Sequence, residues 1–123
     1  MADEQHSGFE ALGRISQKSA TISAVGPTNN YDVSGINVLF IDTTGNSVTI
    51  GGFIGGVVGQ ILHIIKTDET GGNFARLEDQ EGTGNQDIFL HAGGDETLLA
   101  KYGGWCLICD GSNWYDQSHA KYV

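Results

Sequence analysis

At 123 residues, with 39% hydrophobic and 9% aromatic residues, the chain has the length of one domain and enough apolar material for one core, which excludes a disordered chain. Fifteen acidic residues against six basic give a net charge of −9, the wrong sign for a phosphate backbone or an anionic membrane surface, so neither nucleic acid nor membrane is expected as a partner. Nineteen glycines and a single proline favour many tight turns between short strands.

The first residues, Met1-Ala2-Asp3-Glu4-Gln5, are acidic rather than basic, and no long apolar segment follows, so no leader is expected. The longest apolar runs, Val38–Ile41 and Ile61–Ile65, are too short to span a bilayer. The chain reads as complete from Met1 and made in the cytoplasm, where its two cysteines stay reduced.

Residues 1–19 read as an N-terminal arm, and 20–123 as the β domain. The arm carries Asp3, Glu4, Glu10, Arg14 and Lys18, with Phe9, Leu12 and Ile15 as its apolar points. Their spacing is an imperfect helical stripe, and a helix that short is marginal alone in water. Two readings stand: a frayed terminus, or an arm that orders against a neighbouring subunit through Phe9, Leu12 and Ile15.

From Ser19 onward the pattern is β. Thr21–Val25 alternates and stops at the turn cluster Gly26-Pro27-Thr28-Asn29-Asn30. Tyr31–Val33 is briefly extended, Ile36–Ile41 is a buried-strand candidate, and Ser47–Ile50 returns after Asp42–Asn46. Gly51–Gly59 is a glycine-rich connection, and Gln60–Ile65 is the next strand. Asn73–Glu78 alternates, with Ala75 and Leu77 opposite Phe74, Arg76 and Glu78; Asp79–Gln86 is a polar loop. Asp87–Leu90 and Glu96–Ala100 follow. A closing hairpin runs through Trp105–Cys109, the turn Asp110-Gly111 and the return at Trp114-Tyr115. Trp105–Cys109 is apolar on both faces, as a strand covered on both sides would be. Eight to ten short strands with regular turn signals, and no evident internal repeat, predict an all-β domain, a small sandwich or jelly roll.

No constellation of residues argues for catalysis. The glycine cluster lacks the Lys-Ser/Thr of a phosphate loop: Val57-Val58 follows Gly56, and Gln60-Ile61 follows Gly59. Cys106 and Cys109 have redox or zinc half-site spacing, but three positions apart in a strand they face opposite ways, and no other cysteine exists. The histidines at 6, 63, 91 and 119 are scattered, and no serine sits in a nucleophile elbow. The loop Asp79–Asp87 has alternating oxygen ligands without the spacing of a calcium loop. No metal and no cofactor are expected.

Four segments carry a resemblance: Gly55-Gly-Val-Val-Gly-Gln-Ile-Leu-His-Ile-Ile65, Asn73-Phe-Ala-Arg-Leu77, Asp87-Ile-Phe-Leu90 and Gly103-Gly-Trp-Cys-Leu-Ile-Cys-Asp-Gly-Ser-Asn-Trp-Tyr115. In that order they resemble the small β-domains of tailed-phage virion proteins: fibre, spike and head-decoration proteins. The resemblance covers roughly residues 50–116 and implies a non-enzymatic virion component, commonly a homotrimer. A short chain without a shaft sequence is similar to capsid decoration (cement) proteins. That implies a trimer on the capsid surface, bound to the major capsid protein, with the arm in the contacts. Phe53, Ile54, Val57 and Val58 are further contact candidates. The alternative is a fibre or receptor-binding module in which Tyr102, Trp114 or Tyr115 stacks on a glycan.

Overall fold

Strands form where apolar residues alternate. β7 (Ile61–Lys66) buries Leu62, Ile64 and Lys66 and turns Ile61, His63 and Ile65 outward. β11 (Gly103–Cys109) buries Trp105, Leu107 and Cys109 against the same core. The structure is a computed structural model that describes residues 17–68, 72–82, 85–99 and 102–117. Among these it holds twelve short strands and no helix, so the chain is all-β.

The other strands are β1 (Ser19–Ile22), β2 (Gly26–Thr28), β3 (Tyr31–Asp32), β4 (Val38–Ile41), β5 (Val48–Ile50) and β6 (Phe53–Ile54). After β7 come β8 (Ala75–Leu77), β9 (Ile88–Phe89), β10 (Glu96–Leu98) and, after β11, β12 (Trp114–Asp116). Their pairing recurs in steps of three. β1 lies parallel to β4 and β4 to β7; β2 lies parallel to β5 and β5 to β8; β3 lies parallel to β6. A chain that returns beside itself in this way winds as a solenoid, each turn stacked one strand spacing, about 4.8 Å, on the last.

The pairing departs from the sandwich or jelly-roll expectation, since those folds are built from antiparallel pairs. The turns also differ in length. Ser19 lies beside Val38 and Tyr31 beside Phe53, whereas Val38 lies beside His63 and Val48 beside Ala75. The first turn therefore takes about 20 residues and the second about 26, which hides the structural repeat from any fixed-period reading.

The coil is then closed by reversal. β11 pairs antiparallel with β7, and β10 antiparallel with β8. β12 follows β11 as a hairpin and lies parallel to β9. The result is a six-stranded sheet, β1-β4-β7-β11-β12-β9, facing a four-stranded sheet, β10-β8-β5-β2, and the short pair β3-β6. Leu39, Ile41, Val48, Ile50, Leu62, Ile64, Leu77, Leu107 and Trp114 fill the space between them.

Side-chain amides join successive turns at the corners. Gln60 donates to the carbonyls of Val33 (2.9 Å) and Ile36 (2.7 Å) while its own oxygen accepts from Val57 N–H. Asn73 donates to Thr43 O at 2.8 Å, and Asn37 to Ile61 O at 2.9 Å. Gln86, buried, donates to Gly56 O and accepts from both Gly56 N–H and the Trp114 indole. These bonds satisfy backbone groups that a corner removes from the ladders.

Candidate interaction surface

The six-stranded sheet has two apolar faces, and only one of them faces the core. Register places its outward residues in three rows. Thr21, Phe40, Ile65 and Gly104 form one row, and Ser19, Val38, His63 and Cys106 the next. Ile61, Ile108, Tyr115 and Phe89 form the third. Not one of these twelve positions is acidic, lysine or arginine, on a chain of net charge −9. Ile61, Ile65 and Tyr115 are exposed, while Val38, Phe40, Ile108 and Phe89 are half-buried beside them. The Tyr115 ring stacks on Phe89, centroids 5.1 Å apart.

At one end the surface runs into the turn between β6 and β7. Val57 and Val58 are 63% and 76% exposed there, and Gly59 N–H is bonded to Cys109 O, tying the turn to the closing hairpin. At the other end lies a shallow groove of about 470 Å³ bordered by Gln17, Val38, His63, Ile65, Gly104 and Cys106. Gly104 borders the groove as backbone alone. A Cβ at that position would run into the Ile64 carbonyl, so β11 approaches β7 here as bare backbone.

The contact candidates read from the sequence divide accordingly. Val57 and Val58 stand on the surface, and Ile54 is half-buried. Phe53 does not: it is 0% exposed and packs edge-to-face on Trp114, with ring centroids 5.5 Å apart. Phe9, Leu12 and Ile15 lie outside the described residues. Of the glycan-stacking candidates, Tyr102 and Tyr115 are exposed, but Trp114 is 0% exposed with its indole N–H bonded to Gln86, so no sugar can reach its ring. Sequence reasoning missed Val38, Phe40, Ile61, Ile65, Ile108 and Phe89 as surface residues. For Ile108 the signal was present in Trp105–Cys109, apolar on both faces but read as covered from both sides, and for Val38 and Phe40 in Ile36–Ile41, read as a buried strand.

The cysteines separate as strand geometry requires. Cys109 points into the core, where burial pushes its thiol above the ordinary range, and Cys106 lies outward beside His63. Cys109 N–H bonds Gln60 O, which makes Cys106 and His63 a non-hydrogen-bonded pair with side chains close together. In the polar loop, Asp79 accepts from Leu90 N–H at 2.7 Å and Asp87 from Gly82 N–H at 3.1 Å. Both carboxylates thus hold the loop itself. Among the described residues no group of three or more His, Cys, Asp or Glu comes together as a metal site would require. No described helix is long and apolar enough to cross a membrane.

Comparison with known protein families, with curated proteins and with solved structures found no match to this chain.

Proposed function

We propose that this chain is a non-catalytic structural module of a tailed-phage virion: a capsid decoration protein that associates as a homotrimer on the shell. One observation carries the reading. The strip formed by Val57, Val58, Ile61, Ile108 and Tyr115 is apolar and uncharged on a strongly acidic molecule. Such a patch is the mark of a surface built for contact with protein. The partners assigned are the major capsid protein and further copies of this chain. A decoration protein stabilises its shell by binding the assembled form alone, so contact surface rather than chemistry is what the role demands. The reading does not depend on a jelly roll: a solenoid closed by a reversed hairpin presents an equally rigid sheet face.

A second reading keeps a narrower footing. Exposed Tyr102 and Tyr115 offer rings on which a sugar could stack, as a fibre-tip or receptor-binding module would use them. Quantitative mass spectrometry of purified virions separates the two. Copies comparable to the major capsid protein are expected for decoration. A few copies per particle would move the assignment to a fibre, and complete absence from virions would end both readings.

A further inference from the structure

We propose that His63 and Cys106 form half of a tetrahedral zinc site, completed by the same pair from a second copy of this chain. The inference does not rest on the virion reading. A dimer closed over this face covers the apolar strip, so it belongs to the free chain in solution, before any assembly.

Three observations lead there. The first is how the two side chains are brought together. His63 in β7 lies directly opposite Cys106 in β11. The His63 N–H bonds to Asn37 O on the β4 side, and Cys106 O accepts from Gln117 N–H on the β12 side. The two residues therefore make no main-chain bond with each other. That is the arrangement in which opposite side chains come closest, with Cβ atoms about 4.5–5.5 Å apart. Both belong to the outward face: His63 is exposed, and Cys106, which forms no disulfide, is half-buried. A tetrahedral zinc bound at about 2.3 Å by sulfur and about 2.0 Å by nitrogen needs those two atoms about 3.5 Å apart. Side chains rising from such a pair can span that distance.

The second is the chemistry of the donors. A thiolate beside a neutral imidazole is a ligand combination that zinc favours. Zinc takes the place of the thiol proton, which leaves to solvent. The ion has room, since both residues border the shallow groove along with Val38, Ile65 and Gly104.

The third is that the set is incomplete in one chain. A structural zinc takes four ligands, and among the described residues no third His, Cys, Asp or Glu joins these two. The outward rows of the sheet around the pair hold no acid, lysine or arginine. A second copy can lay the same face against this one without setting like charges opposite each other. A two-fold axis through the ion then brings in that copy's own imidazole and thiolate, which closes the site. Metal bonds hold such a contact with less area than the roughly 800 Å² per side that packing alone requires.

The test uses the full chain, stripped of metal, kept reduced with a phosphine and titrated with zinc chloride at a concentration where the metal-free chain is monomeric. Sedimentation velocity is expected to show a dimer that forms as zinc is added, saturates at about one ion per two chains, and is lost on adding EDTA. Cobalt(II) in place of zinc is expected to give the intense thiolate-to-metal charge-transfer band of a tetrahedral site. Cys106→Ser and His63→Ala are each expected to lose both the dimer and the band, with an unchanged far-ultraviolet circular dichroism spectrum. Zinc that binds one per chain without pairing would overturn the proposal, as would pairing that survives either substitution. So would a parent chain that gives no charge-transfer band, a result that needs no variant and stands even where a substitution unfolds the chain. None of these outcomes depends on whether the protein is found in virions.

Discussion

Lys66 is fully buried, an unusual place for an ammonium group, and the residues around it explain how it is tolerated. Its Nζ donates to the main-chain carbonyl of Asp68 and stands 3.6 Å from the carboxylate of the same residue. That carboxylate also accepts from the Thr43 N–H at 3.0 Å and hydroxyl at 2.8 Å, so one acid joins the end of β7 to the turn after β4. Removing one partner of a buried ion pair leaves the other charge uncompensated, at a cost of about 3–5 kcal/mol; the fully buried ammonium is the costlier one to strand, because the Asp68 carboxylate is 16% exposed and keeps its two Thr43 donors. Asp68→Ala is therefore expected to lower the unfolding free energy by about 3 kcal/mol, and Lys66→Met by a smaller amount. Urea denaturation of the two variants checks this; equal losses would mean the pair is not what holds this corner.

Glu78 presents the opposite case, an acid whose ionised form is disfavoured. Burial, with Glu81 and Asp95 nearby, raises its pKa above the ordinary 4.5, and Arg76 offsets this in part. Its Oε1 and the Asn29 Oδ1 are buried acceptors close to Gly51, and neither has a hydrogen-bond partner. A proton on Glu78 removes the charge that burial disfavours. Because the folded pKa lies above the unfolded one, this residue's contribution is fully present below the unfolded value and is lost as pH rises through the folded one. Glu78→Gln is thus expected to raise the urea midpoint at pH 7 and to leave it nearly unchanged near pH 3.5. A gain of the same size at both pH values would show that ionisation is not the cause.

Among the elements, those governed by local alternation were legible and those governed by winding were not. The burial of β7 and β11 follows from their apolar period of two. The closing turn follows from its residues: the Asp110 carboxylate accepts from the Ser112 and Asn113 N–H groups, both at 2.8 Å, and Gly111 takes a φ of 98°. Those bonds also hold the Asp110 carboxyl below its usual pKa. β2 was hidden because Gly26-Pro27-Thr28 has the composition of a turn. It forms as the outermost strand of its sheet, where a missing N–H breaks no ladder. β6 was hidden in the glycine-rich stretch, where Phe53 is drawn into the core by Trp114. The corner amides of Gln60, Asn73 and Gln86 carry no sequence pattern of their own. They acquire a role only when one turn of the coil lies beside the next. For the same reason the apolar outer face could be read as covered, while what covers it depends on neighbours that strand periodicity does not encode.

At the scale of the whole molecule, charge and surface act against each other. Each copy carries −9, so two copies repel at long range, and that repulsion is screened over about 10 Å at 0.1 M salt but only over about 30 Å at 0.01 M. The residues of the proposed contact strip carry no charge themselves, with the Asp110 carboxylate bonded by Tyr115 at its edge, and their attraction scales with apolar area. Self-association through Val57, Val58, Ile61 and Tyr115 is therefore expected to strengthen as salt rises from 0.01 to 0.15 M, the reverse of an ion-paired interface. Sedimentation velocity across that range reads the effect directly. Ile61→Glu places a carboxylate in the centre of the strip without touching the core, since the side chain points away from it, and is expected to leave a folded monomer at every salt concentration. Association that weakens with salt, or that survives Ile61→Glu, would place the subunit contact on another face and separate it from the apolar strip.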